Sequence, residues 1–440
     1  MNPMIRRLLF FFFVFGFIIG APIIVLYTAG YRYNFQSGTV IRTGVLSIST
    51  SPRNAQILLD EQNINRQTPA VIEQLMPGDY QITLAKDGYH PWHNTETIQS
   101  NITTHLPLIT LWRSESPVTI WQRSTQNITA NPNGETVAYF IEQGGWNELW
   151  LDNLTENSQK MIARIPSKVG EMTLDWSTQG GYLLVHDQNF VTVSVYDYSG
   201  NNVPIVTTLK KMSRVFWHPS ADHALYIGDT SSLEQLDLQT STSLIISTNG
   251  DSSIVLDANL ISLTNTETQT ELRQTLGEQT KVIALLPKSK YSILQQDGPY
   301  LILQNAQNEL LIIDFNSNEP ILFKQSVKFF DYLANSHLLL WSDGNEINIY
   351  NPINHQTEFI TRQGSIITQL KFSPDGNNIF VASENKLLVI DHYKNGAERY
   401  TATLLETDQL QNFWLTVDGK TAYIDGTIND DVGLYLLLLR

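Results

Sequence analysis

Apolar residues follow three different rhythms along the chain. Residues 8–30, LLFFFFVFGFIIGAPIIVLYTAG, carry no charge and show no polar face at any helical spacing, so they predict a helix that is apolar all round. Residues 8–29 would extend roughly 33 Å at about 1.5 Å per residue, enough to cross the hydrocarbon of a bilayer. After residue 43 the pattern changes to short alternating or apolar runs bounded by Pro, Gly, Asn and Asp: Val45–Thr50, Gln56–Asp60, Tyr80–Leu84 and Leu106–Leu111. Period-two alternation of this kind predicts the strands of a small antiparallel sandwich. Beyond residue 113 each unit has a polar turn, a short hydrophobic strand and a second strand that often ends in Asp, as in YLLVHD with VTVSVYD and HLLLWSD with EINIY.

The flanks of the first segment set its expected orientation. Arg6 and Arg7 precede it and Arg32 is the nearby basic residue after it, which favours the amino end inside. Tyr27, Tyr31 and Tyr33 stand where an interfacial aromatic belt would lie. A cleaved signal peptide is the competing reading, but its apolar region usually runs 7–15 residues, and cleavage after Ala21 would place Ile19 and Pro22 at unsuitable positions. An uncleaved anchor is therefore expected. Gly16, Gly20 and Ala21 offer one small-residue spacing for helix pairing; glycines facing lipid are the plainer reading.

Within 43–112 four turn signals fall in order. Ser51-Pro52-Arg53-Asn54-Ala55 is followed by Leu59-Asp60, then Thr68-Pro69, then Leu75-Met76-Pro77-Gly78-Asp79-Tyr80, and the run ends at Lys86-Asp87-Gly88-Tyr89. Pro77 fixes φ and Gly78 tolerates a positive φ, so a tight turn is expected to lead into the Tyr80–Leu84 strand. This arrangement resembles the PEGA domain, a β-module of cell-envelope proteins, over about 70 residues. Glu61 stands where that family commonly has Gly, which suggests a wider turn. The resemblance implies a noncatalytic spacer or binding unit.

The carboxyl-terminal part repeats. Ala130, Trp176, Trp217, Asp257, Leu294, Tyr332, Phe372 and Leu415 each introduce a polar turn, roughly forty residues apart. A unit of that length with paired strands predicts a β-propeller over 113–440, whose blades bury a core only when packed face to face. Eight blades of about 41 residues are expected. Seven is the alternative, because 245–290 is least regular and an amino-terminal strand can close the last blade. The units resemble WD-repeat-like propellers of the bacterial Tol type, most clearly at Phe372-Ser373-Pro374-Asp375-Gly376 and Trp217-His218-Pro219-Ser220. The Gly-His and Trp-Asp dipeptides of the eukaryotic type are missing.

Charge and chemistry narrow the function. Against 28 basic residues stand 43 acidic ones, a net charge of −15, which disfavours nucleic acid and anionic lipid surfaces. With no cysteine there are no disulfides, thiolate metal sites or cysteine nucleophiles. No hydrolase, zinc-protease or nucleotide-loop motif occurs. His90 and His93 are separated by Pro91, which prevents the helix that would aim both rings at one metal, so a surface loop is expected. Asp222-His223 and Asn429-Asp430-Asp431 read as solvated turns rather than cation loops, and His218, His337 and His355 are scattered singly. Asn101, Asn127 and Asn153 match the glycosylation acceptor pattern, frequent by chance in a chain rich in Asn and Thr. Trp92, Trp112, Trp121, Trp146 and Trp150 suit a core as well as a partner surface.

No catalytic, cofactor-binding or metal-binding residue is assigned and no cofactor is expected. The organisation expected is a cytoplasmic tail (1–7), a transmembrane helix (8–29), a linker (30–42), a PEGA-like sandwich (43–112) and a propeller (113–440). The bulk of the chain would lie outside the cytoplasmic membrane as a noncatalytic envelope module that binds or scaffolds a protein or glycan. The alternative is a glycan- or peptide-processing propeller whose acidic residues converge in the central channel.

Overall fold

The computed structural model describes residues 3–440 except 35–37, 210, 219, 230–231, 248–251, 257–258, 277–278, 316–319, 322–326 and 395–397. Asp257 and Pro219 of the repeat signals lie outside the described residues. The chain forms two compact units, one of residues 1–115 with 390–404 and 440, the other of residues 116–389 with 405–439.

The first unit begins with helix α1, Pro3–Thr28, in which Ile5–Thr28 is long and apolar enough to cross a membrane. The segment read as a linker contains a hairpin of Tyr31–Asn34 and Thr39–Arg42, tied at its base by Thr43 N and Oγ1, both donating to Gly30 O at 2.9 Å. Arg32 lies 3.5 Å over the Tyr27 ring and donates to the Tyr27 carbonyl at 2.8 Å, a clasp at the end of α1.

The sandwich that follows has two main sheets and a short parallel pairing of Thr50–Ser51 with Ile109–Thr110. The antiparallel one runs in the order Gln62–Gln67, Gln56–Leu59, Gly78–Ala85, Trp92–Ile98. The other is mixed: Gly44–Ile48 pairs antiparallel with Ala70–Leu75 but parallel with Thr103–His105. Parallel pairing arises because 103–105 returns after a long crossover rather than a hairpin. Burial alternates along Gly44–Ile48 and Trp92–Ile98, as expected for sheets wet on one face.

Two turn expectations change. Strands Ala70–Leu75 and Gly78–Ala85 belong to different sheets, and Gly78 is already paired with Ile98. The tight turn expected at Pro77-Gly78 is thus a corner between sheets at Met76-Pro77, with Gly78 already in the strand; Pro77 suits it because a corner residue owes no ladder hydrogen bond. At Asp60-Glu61 the wider turn is not found, for Leu59 pairs directly with Gln62, leaving a two-residue turn with φ of 49° and 65°. Both central residues take the left-handed region, the requirement of a type I′ hairpin. Asp60 is held there by its side chain, which accepts from Gln81 N at 2.9 Å.

The second unit is a β-propeller. Four-stranded antiparallel sheets follow one another, and among the described residues there are eight: sheet 1 (126–166), sheet 2 (172–203), sheet 3 (214–247), sheet 4 (252–287), sheet 5 (291–321), sheet 6 (329–362), sheet 7 (367–406, of which 390–404 group with the first unit) and sheet 8. Sheet 8 combines Gln409–Leu415, Thr421–Ile428 and Asp431–Leu438 with the early strand Val118–Gln122, so the two ends of the unit are sewn into one sheet. The second strands Tyr182–Asp187, Ala224–Gly228 and Asn378–Ser383 are buried almost throughout, because their sheets are covered on both faces, whereas burial alternates over residues 260–264 in sheet 4. Apolar clusters join successive sheets: Phe140, Leu149 and Leu183 between sheets 1 and 2, Leu184, Val195 and Leu225 between sheets 2 and 3, and Val137, Tyr139 and Leu434 between sheets 1 and 8.

The closing seam carries a buried polar knot. Asp152, 2% exposed, accepts from Trp121 Nε1 (2.9 Å), Tyr139 OH (2.9 Å) and Gln159 Nε2 (3.1 Å), with Arg123 at 3.4 Å. Burial pushes the Asp152 carboxyl above its ordinary range while these donors pull it back.

Candidate functional site

The acidic residues that dominate the composition have a local use. Asp187 ends a second strand, Asp343 directly follows one, and Asp197 and Asp237 end third strands. Asp187 accepts from Asn189 N and Thr192 N, Asp343 from Asn345 N and Glu346 N, Asp197 from Ser199 N and Asn201 N, and Asp237 from Gln239 N and Thr240 N. A short carboxylate accepting amides two to five residues ahead closes a hairpin without needing glycine. Backbone donation from Asn345 and Glu346 holds the Asp343 carboxyl below its usual range. Asn153 and Asn351 do the same in sheets 1 and 6.

Asp391, at the matching end of the third strand of sheet 7, departs from this pattern. Within the first unit it accepts from Trp92 Nε1 at 3.3 Å, while Tyr400 OH donates to Pro91 O at 3.0 Å and Asn94 Nδ2 to Glu398 O at 2.7 Å. Burial raises the Asp391 carboxyl to about 6, with the Trp92 hydrogen bond and Arg399 acting in the opposite sense.

First strands of neighbouring sheets lie against one another, as Gln126–Ala130 with Met172–Trp176 and Phe329–Leu333 with Ile367–Phe372. Side chains stitch them together: Trp176 Nε1 donates to Thr129 O (3.4 Å), Trp217 Nε1 to Asp175 O (3.0 Å), and Gln369 exchanges hydrogen bonds with Phe413 N and O (3.0 and 2.9 Å). At the carboxyl-terminal ends of these strands opens a cavity of about 520 Å³, lined from sheets 1, 2, 6, 7 and 8. Its walls include Thr129, Asn131, Asp175, Trp176, Asp331, Lys371, Phe372, Phe413, Trp414 and Val417. Gly134 sits in the turn behind Asn131 with φ of 68°, and a Cβ there would meet Leu415 O at 2.8 Å, so this wall admits only glycine without rearrangement.

The charges in the cavity are unequal. Asp331 is bound to Lys371 Nζ at 2.9 Å and Phe372 N at 2.8 Å. Asp175 has half its side chain exposed, and one oxygen meets His186 Nε2 at 3.3 Å. A second recess, about 480 Å³, lies at the opposite strand ends of sheets 1 and 2, where Gln126, Asn127, Glu142 and Glu171 line it.

The residues singled out in the sequence are placed as follows. His90 has its Nε2 buried and lacks a hydrogen bond there, and burial lowers its basicity. His93 lies on the strand Trp92–Ile98, not in a loop, with its ring 5.8 Å from Tyr400. Asp222 bridges two turns, accepting from Gln179 N at 2.7 Å and Gly181 N at 3.1 Å, and His223 approaches Asp237 at 3.7 Å. Asn429 and Asp430 form the turn before Asp431–Leu438, where Asp431 accepts from Gln122. His218 accepts from Ser220 N and Ala221 N, His337 Nδ1 faces Asp297 at 2.5 Å beside Tyr332 OH, and His355 faces Tyr350 OH at 3.4 Å. Asn127 donates to Met172 O, Asn153 caps its turn, and Asn101 occupies a turn with φ of 62°. Trp92, Trp112 and Trp121 are buried, whereas Trp146 is 41% exposed. Among the described residues no group of three or more His, Asp or Glu could hold a metal ion.

Sequence reasoning missed the cavity, yet its signal was present. Of the eight residues whose recurrence defined the repeat, Ala130, Trp176, Phe372 and Leu415 line it.

Residues 43–110 match the family described as PEGA domain. No curated protein matches the chain. Solved structures similar to it include the Dos1 propeller, 14% identical with a TM-score of 0.49 over 74% of this chain and 94% of that one. The C-terminal WD40 domain of Sif2 is 13% identical with a TM-score of 0.48, over 74% and 99%.

Proposed function

We propose that the chain is a single-pass membrane protein, amino end inside, that holds its PEGA sandwich and propeller outside the cytoplasmic membrane as a noncatalytic binding or scaffolding module. In this reading residues 8–29 are the anchor, 30–42 the junction, 43–112 the sandwich and 113–440 an eight-bladed propeller. The partner is a protein, engaged at the cavity formed by the first-strand ends.

The observation that carries this reading is the employment of the carboxylates. Asp197, Asp222 and Asp343 are occupied as hairpin caps or an inter-sheet bridge, and Asp331, facing the cavity, is bound to Lys371 and an amide. Asp175 alone among the carboxylates lining the cavity keeps an open oxygen, and acid–base hydrolysis by a carboxylate pair needs two. Anchoring is supported by the apolar α1 and by the Arg32–Tyr27 clasp at its end. Protease added outside sealed, right-side-out membrane vesicles tests it. Cleavage within 113–440 is expected, and full protection would place the propeller in the cytoplasm.

A further inference from the structure

We infer that the cavity at the first-strand ends is a receptor for a basic side chain, Lys or Arg, presented on an extended segment of a partner protein. The inference rests on the protein-binding reading above and adds its chemistry.

Six described aspartates lie at first-strand ends or in the turns that follow, and five are held twice over. Asp222 takes two amides, Asp297 takes His337 and Tyr332, and Asp331 takes Lys371 and an amide. Asp375 takes Ser373 Oγ and Asn377 N, and Asp418 takes Thr416 Oγ1 and Lys420 N. Asp175 is the exception, since a single partner, His186 at 3.3 Å, meets it, and 51% of its side chain lies in solvent. It stands beside half-buried Trp176, in a wall that also contains Trp414 and Phe372.

A cavity whose wall carries an open carboxylate and several aromatic rings suits a cation, which gains a charge-assisted hydrogen bond and attraction to ring quadrupoles. The lining cation, Lys371, is already paired with Asp331 and so does not compete for Asp175. A net charge of −15 draws basic segments toward the surface and repels acidic ones, leaving the cavity to decide which residue seats. A guanidinium is favoured over an ammonium because it can stack on indole and use the carboxylate together.

The test uses the full chain in detergent at 0.15 M salt. The probes are the capped peptide Gly-Arg-Gly-Lys-Gly, its Glu-substituted counterpart and chitotetraose, with calorimetry and tryptophan fluorescence as readouts. Saturable binding of the basic peptide is expected, at least tenfold weaker in Asp175→Asn and Trp414→Ala, unchanged in Glu171→Gln at the opposite recess, and largely restored in Asp175→Glu. Unaltered thermal melting of Asp175→Asn establishes that the fold survives. Equal affinity in wild type and Asp175→Asn would mean diffuse attraction to an acidic surface and would overturn the inference, as would preferential binding of chitotetraose or no saturable binding. A protein partner cross-linked to the cavity rim in membranes and kept by Asp175→Asn would overturn the basic-residue inference alone. Absence of any rim partner would remove the protein-binding reading as well.

Discussion

The sandwich and the propeller are built from similar strands but bury them differently. In the sandwich, Trp92–Ile98 alternates buried and accessible positions, so one face carries the core. In the propeller, Asn378–Ser383 is buried at every position, since sheets cover it on both sides. A sheet wet on one face must be specified by its turns, and the PEGA segment shows four of them in fixed order. A sheet covered on both faces is specified by its neighbours, and the repeat shows only loose spacing with capped hairpins.

The comparison can be broken most forcefully at a doubly covered position. Phe140, 1% exposed between sheets 1 and 2, should cost about 3–5 kcal/mol when changed to Ala, and the loss should appear in the propeller's denaturant transition. The sandwich transition should be unmoved, which separate fluorescence and proteolysis probes would check.

A titrating group sharpens it next. Asp425 in sheet 8 is 3% exposed with Asn412 donating at 3.3 Å, and burial pushes its carboxyl up to about 6 despite that hydrogen bond. Because the folded value is raised above the unfolded 3.8, the stabilisation belongs to the protonated form, is full below pH 4 and is lost as pH rises through 6. Asp425→Asn should therefore be more stable than wild type at pH 7.5, by about 1–3 kcal/mol, with the difference vanishing near pH 4. Urea titrations at the two pH values provide the check.

Hairpin caps titrate in the opposite sense. Asp343 is lowered by the Asn345 and Glu346 amides, so its contribution is present above the unfolded value of 3.8 and disappears as pH falls through its lower folded value. Asp343→Ala should cost about 1 kcal/mol at neutral pH and less in acid, measured by melting at pH 7 and pH 3.

The smallest effect belongs to the sandwich turn. Glu61, at φ of 65°, should gain about 0.5–1 kcal/mol on replacement by Gly, visible as a raised melting temperature of the sandwich.

These sites also mark what could be read from sequence. The apolar α1, the alternating strands near Tyr80–Leu84 and the Asp-terminated strands of the repeat were legible because each depends on neighbours within a few residues. The turn at Glu61 was misjudged because residue preference was allowed to decide what strand register decides, with Leu59 paired to Gln62. The turn at Pro77 was legible, but not that it is a corner between sheets, because local sequence does not say which sheet each flanking strand joins. The cavity was invisible for a stronger reason, since Trp176 and Trp414 line it together although 238 residues separate them. Asp175 carried no mark of its own, as its importance comes from the partners that other aspartates have and it does not.

The central claim is that the first-strand ends of an externally displayed propeller are where a partner protein binds. A photo-cross-linking residue at Val417, 61% exposed on that rim, tests it in intact membranes, with Val191 in sheet 2, 83% exposed and outside the cavity lining, as reference. A discrete protein adduct from Val417 that Trp414→Ala abolishes is the predicted result. Adducts equal at both positions, or none at Val417, would contradict it.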